Sequence, residues 1–153
     1  PGLRVGWAVG DPAVLAPARL VHNNMVSCAP RPCQEAALAL LEDSGRVLPA
    51  ARAELRARWD ALAAGLREEL GIEAVPPAGA FYYWLPLPRR ERGGAGSEPT
   101  AFCLRVRDEG KVIVVPGAAF GSGGRDFVRV SYAARPEQIR EGIARLARFW
   151  RES

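Results

Sequence analysis

The sequence predicts a mixed α/β fold of the α+β layer type, one sheet covered by helices. Three observations carry that expectation. From about Arg46 onward, stretches with helical spacing alternate with short β-branched or aromatic runs, in the order helix, strand, helix, strand, strand, helix. The longest helical stretch sets Leu55, Trp59, Leu62, Leu66 and Leu70 at steps of four, three, four and four, which is one apolar stripe. The stretch Val112 to Ala133, VIVVPGAAFGSGGRDFVRVSYA, joins two apolar runs through a glycine-rich bend, and its second run alternates with period two.

Residue 1 is a proline at the mouth of an apolar run, which suggests a trimmed chain or a piece of something longer. Leu3 to Val9 reads as a strand interrupted by Arg4. Asp11 caps a helix running from Pro12 towards Asn24, with Pro17 its weak point. Two prolines break the chain between Val26 and Pro32. A short helix over Cys33 to Glu42 follows, ended by Ser44 and Gly45. The striped helix covers Arg46 to Leu70, and Gly71 stops it.

Gly79 to Leu85, GAFYYWL, is aromatic enough for a strand, which Pro86 and Pro88 end. An exposed loop from Arg89 to Pro99 leads to a helix over Glu98 to Glu109, capped by Ser97, turned inward at Phe102 and Val106, and terminated by Gly110. The strand Val112 to Val115 comes next. After the second run of the glycine bend, Pro136 opens a last helix striped by Ile139, Ile143, Leu146 and Trp150. Residues 1–45 do not join this layer arrangement. Their single strand has no partner nearby and is expected to belong to another, larger sheet, which divides the chain into 1–45 and 46–153.

Composition narrows the function classes. The 153 residues are 48% hydrophobic, enough for a sizeable core. The formal charge is +4, yet acidic and basic residues are interspersed along the helices, and 20 of the 21 basic residues are arginine, a bias of composition rather than a binding tract. Nucleic-acid binding is not expected. Cys28, Cys33 and Cys103 have no zinc-type spacing and His22 is the sole histidine, so a metal site is not expected either. Three free thiols point to a reducing cytoplasm. No apolar run reaches the length of a membrane span.

One residue asks for an explanation. Arg129 sits inside a strand whose Val128, Val130 and Tyr132 share one face, so its side chain points to the other face with Phe127 and Ser131. It is either a solvated arginine on the outer face of the sheet or a guanidinium held on a rigid element to grip an anion bidentately. The nearby glycines do not make a nucleotide loop. PGAAFGSGG lacks the GK[ST] ending of a P-loop and the third glycine of a dinucleotide fingerprint. His22 has no serine in a G-x-S-x-G setting to serve.

Four segments in order, PGLRVGWAVGDP (1–12), CQEAALALLE (33–42), PPAGAFYYWLPLP (76–88) and KVIVVPGAAFGSGGRDFVRVSYA (111–133), give a pattern that resembles the C-terminal part of class I/II aminotransferases, fold type I enzymes of the aspartate aminotransferase superfamily that depend on pyridoxal 5'-phosphate. The resemblance covers essentially the whole chain. It implies that residues 1–45 are the tail of the large, cofactor-binding domain and 46–153 the small C-terminal domain. It also gives the arginines roles. In the family's G-x-R-x-G strand the arginine contacts the cofactor phosphate, and GLRVG puts Arg4 there. After the P-G-x-x-F-G bend, the arginine in the R-[IVL]-[SN]-[FY] setting pairs with the substrate α-carboxylate, and VRVSY puts Arg129 there. Both anions suit a fork of parallel charge-assisted hydrogen bonds, each contributing roughly 1.5 to 3 kcal/mol.

The resemblance further implies amino acid and 2-oxo acid substrates and a homodimer. It places the family's Schiff-base lysine a few residues before the G-x-R-x-G arginine, hence upstream of Pro1. Lys111, the sole lysine, matches no catalytic position and reads as a surface residue. The expected function is therefore a fragment of an aminotransferase that holds no catalytic residue and is inactive by itself. Lyases and synthases built on the same fold remain open, as does a stand-alone binding domain. The identity of the amino donor is not legible.

Overall fold

The computed structural model describes residues 2–92 and 99–152. The expected cap at Ser97 lies outside them. The chain divides into two compact units, Pro1–Ala51 and Arg52–Ser153.

The first unit contains α1 (Pro12–Met25), α2 (Arg31–Glu42) and the opening of α3 (Ser44–Leu70). Asp11 caps α1, its Oδ1 accepting from the Ala13 amide at 2.7 Å, and the helix runs on through Pro17. α2 begins earlier than expected because Pro32 falls in its first turn, where no N–H is needed. Asp43 alone separates α2 from α3, and the break expected at Ser44 and Gly45 is absent. The Arg46 side chain reaches back to the Asp43 carboxylate, with Nε at 2.8 Å.

Leu3 to Val9 is not a strand. A strand needs a neighbour for its N–H and C=O groups, and none is present among the described residues; Arg4 takes the left-handed conformation (φ 49°) instead of an extended one. No described residue of this unit is buried.

The second unit has a real core. Its sheet is antiparallel, in the order β1 (Tyr82–Pro86), β3 (Phe127–Ser131), β2 (Val115–Pro116). Tyr83 lies opposite Val130, Trp84 opposite Arg129 and Leu85 opposite Val128; Val115 faces Arg129 from the other side. Leu85, Val128, Val130 and Tyr132 are buried on the inner face. Against them pack Trp59, Leu62 and Leu66 of α3, Phe102 and Val106 of α4 (Pro99–Gly110), and Ile139, Ile143, Leu146 and Phe149 of α5 (Pro136–Glu152). Trp59 meets the rings of Tyr83 and Tyr132 edge-on, each at 5.6 Å. Arg58 donates to the Ala133 carbonyl at 2.5 Å, tying α3 to the exit of β3. No helix is long and apolar enough to cross a membrane among the described residues.

Two helix ends use one device with different residues. α3 stops at Gly71 (φ 65°), the Ile72 amide donating to the Leu66 carbonyl at 3.1 Å. α4 was expected to stop at Gly110, but the left-handed residue is Lys111 (φ 55°), with the Val112 amide on the Val106 carbonyl at 3.4 Å. Gly110 is needed for a different reason: a Cβ there would lie 2.6 Å from Cε2 of Phe149. The Val112 amide is thereby spent on the helix end, and pairing in β2 starts only at Val115. β1 starts at Tyr82 rather than Gly79, after a left-handed Ala80 (φ 65°). Pro86 is its last residue, tolerated because β1 is an edge strand.

Candidate functional site

The outer face of the sheet is built by the residues that alternate with the core. β1 contributes Tyr82 and Trp84, and β3 contributes Phe127, Arg129 and Ser131. Arg129 lies on the central strand, with its backbone position flanked by Trp84 on one side and Val115 on the other.

The glycine bend covers this face. It folds as two short 3₁₀ turns, Gly117–Phe120 and Ser122–Gly124. Its glycines are there for close approach: a Cβ on Gly117 would stand 2.2 Å from the Gly124 carbonyl oxygen, and one on Gly124 would stand 2.2 Å from that of Gly117. Gly121, between the turns, has φ 121° and ψ 170°, a conformation essentially closed to other residues. The bend delivers Phe120 to the sheet, where its ring meets Trp84 edge-on at 5.5 Å. Trp84 also meets Phe127 at 6.4 Å, and these three rings with Gly123 and Gly124 line a shallow cleft of about 320 Å³.

The Arg129 guanidinium carbon lies 4.2 Å from the centroid of Tyr82 and 4.4 Å from that of Phe120. Its side chain is half-buried, and it makes no hydrogen bond or ion pair among the described residues. Several arginines on this unit's helices differ: Arg56, Arg58, Arg107 and Arg145 each pair with a carboxylate one to four residues away. Arg129 is a cation stacked on rings with its N–H fork unused.

Arg4 belongs to the first unit. It is exposed, makes no hydrogen bond or ion pair among the described residues, and borders an open cleft of about 670 Å³ with Gly6, Trp7, Leu40, Leu41 and Ser44. An exposed, unpaired guanidinium beside a glycine with open space around it suits a phosphate group. The fit to a phosphorylated cofactor extends to that group.

The other reactive side chains are accounted for by packing. Cys103 is buried, and desolvation pushes its thiol up to about 11, so it is inert as a nucleophile. Cys33 is half-buried and Cys28 exposed. Burial also raises the Tyr83 and Tyr132 hydroxyls, the latter donating to the Ala80 carbonyl at 3.0 Å. Lys111 is exposed, its ammonium on the Asp108 carbonyl at 2.6 Å. Among the described residues no group of His, Cys, Asp and Glu could hold a metal ion.

Alternation in the sequence puts Arg129 on the outer face, where it lies, but does not by itself bring the rings beside it. The signal was available. In a run such as FYYW, period two puts Tyr82 and Trp84 on one face, and Tyr82 is then the diagonal neighbour of Arg129, within reach of a long side chain. Phe120 was visible in PGAAFG, but its landing place depends on how the bend closes.

Comparison with known proteins gives the family of the chain. Residues 1–146 match the family described as aminotransferase class I and II. The chain belongs to that family, whose members use pyridoxal 5'-phosphate. It is 32% identical over 148 residues to an LL-diaminopimelate aminotransferase of Dehalococcoides mccartyi, covering 97% of this chain and 36% of that protein. Among solved structures, it resembles LysN, an α-aminoadipate aminotransferase of Thermus thermophilus complexed with N-(5'-phosphopyridoxyl)-L-leucine, with a TM-score of 0.79 and 28% identity over 99% of this chain and 39% of that one. It also resembles N-succinyldiaminopimelate aminotransferase of Mycobacterium tuberculosis, with a TM-score of 0.76 and 28% identity over 97% of this chain and 38% of that one. The chain thus spans little more than a third of the length of these relatives.

Proposed function

We propose that this chain supplies the carboxylate-binding and phosphate-binding arginines of a pyridoxal-phosphate-dependent aminotransferase that moves an amino group between an amino acid and a 2-oxo acid. The observation that carries this reading is Arg129, a guanidinium fixed on the central strand with its fork unused. In this role Arg129 holds the α-carboxylate of either substrate, and Arg4 holds the cofactor phosphate. The cofactor, when bound, supplies the electron sink that amino-group transfer needs.

Residues 1–45 are the tail of the large domain and 46–153 the small domain; the absence of any buried residue over 2–51, against a single core beyond it, supports the division. The sole lysine is engaged at the end of α4, and the 153 residues by themselves are expected not to turn over an amino donor. The working protein is a homodimer in the cytoplasm, its donors drawn from amino acids of the kind its relatives are named for, diaminopimelate and aminoadipate among them.

The test is Arg129→Ala in the intact protein, assayed against a panel of L-amino acids that includes LL-diaminopimelate. Loss of a forked pair of charge-assisted hydrogen bonds is expected to raise KM by about 10- to 100-fold or more, with cofactor affinity unchanged. Equal losses of donor and cofactor affinity would contradict the assignment. Arg4→Ala is expected to do the reverse, weakening cofactor binding first.

A further inference from the structure

We infer that Phe120 and Tyr82 are positioning residues for Arg129, a two-sided aromatic clamp that restricts this site to an anion approaching in the plane of the guanidinium. The inference rests on the carboxylate role proposed for Arg129. The geometry is specific. Both centroids stand within 4.4 Å of the guanidinium carbon, and Tyr82 and Phe120 form no ring pair with each other, an arrangement that fits two rings on different sides of the group.

An arginine has a long, rotamer-rich side chain, and without support its fork points in many directions. In a clamp of this kind stacking removes that freedom without using any N–H bond, because all of the N–H bonds lie in the guanidinium plane and a stacked ring covers only its face. Aromatic carbons accept no in-plane hydrogen bond, so the edge is left open. A planar carboxylate entering along that edge finds two parallel donors already aimed at it. An apolar or aromatic group arriving face-on finds both faces taken.

Phe120 is the part of the clamp that the bend controls. Its ring is half exposed (51%), so no core packing holds it. What holds it is the Trp84 edge contact and a backbone closed by Gly117, Gly121 and Gly124. The glycine bend, which binds no phosphate in this reading, thus acts through one side chain on the arginine opposite.

The test uses the intact protein and titrates butyrate by ligand-observed NMR, with butyramide as the uncharged control. Arg129→Ala defines the arginine-dependent binding. Phe120→Leu is expected to weaken that binding about 5- to 20-fold, Tyr82→Leu likewise, and Phe120→Tyr to stay within about twofold of the parent, as ring stacking demands. Butyramide is expected to be unaffected throughout, and the exposure of Phe120 makes a change in melting temperature an independent check on folding. If Arg129→Ala weakens butyrate but Phe120→Leu does not, or Phe120→Tyr is as weak as Phe120→Leu, the clamp is overturned and the carboxylate role stands. If the parent fails to bind butyrate, or Arg129→Ala leaves it unchanged, both are overturned.

Discussion

Arg129 shows how a single position combines three features: a strand that fixes its backbone, two rings within 4.4 Å of its guanidinium carbon, and no ion pair to consume its charge among the described residues. Charge alone does not supply them. Arg129→Lys keeps the cation but loses the fork and the planar stacking surface, so donor KM is expected to fall much closer to that of Arg129→Ala than to the parent. Cys103 gives a prediction of another kind. Its thiol titrates near 11 in the folded chain against an ordinary value of 9.0, because burial disfavours the thiolate. The neutral thiol therefore contributes stability that is fully present below about pH 9 and lost as pH rises towards 11, by no more than about 2 kcal/mol once residual solvent access is allowed for. Urea melts between roughly pH 8 and 11, the window that linkage defines, should fall less steeply for Cys103→Ala. Tyr83 and Tyr132, raised by the same cause, keep part of the slope.

At the scale of elements, the end of α4 separates two jobs that spacing alone assigns to one glycine. Lys111→Gly relieves a left-handed lysine and is expected to stabilise by about 0.5 to 1 kcal/mol in denaturant melts. Gly110→Ala drives a methyl into the Phe149 ring and is expected to destabilise by about 1 to 3 kcal/mol. Reversed signs would mean that Gly110 is the cap after all. This pair also shows what was legible beforehand. The helices of the second unit and the inward set Val128, Val130 and Tyr132 follow from spacing, because spacing is a local property. Phe149 escaped notice because it lies beside the stripe of Ile139, Ile143, Leu146 and Trp150, and it packs closely against Gly110 on another helix. The strand expected over Leu3 to Val9 failed for the opposite reason: its residues have strand character, but pairing is a property of two segments, and the second is not among the described residues. At the site, the identity of Arg129 was readable from alternation, whereas the clamp required knowing where the bend sets Phe120.

At the scale of the whole molecule, the two units differ in kind. Residues 52–153 bury one cluster drawn from three helices and the inner face of the sheet, and a polypeptide of those residues is expected to melt cooperatively by circular dichroism. Residues 1–51, with no buried side chain among those described, are expected to show no cooperative transition by themselves. Of the seventeen large hydrophobic side chains exposed among the described residues, twelve lie in this first unit, Trp7, Val9 and Met25 among the most open. That asymmetry has a practical consequence for anyone handling the chain. A dye that fluoresces on apolar surface, ordinarily a sign of a loosened, molten core, should light up strongly here while the ring signals of the second unit stay native. The glow would come from the apolar side chains exposed over residues 2–51, and 52–153 alone should be much dimmer.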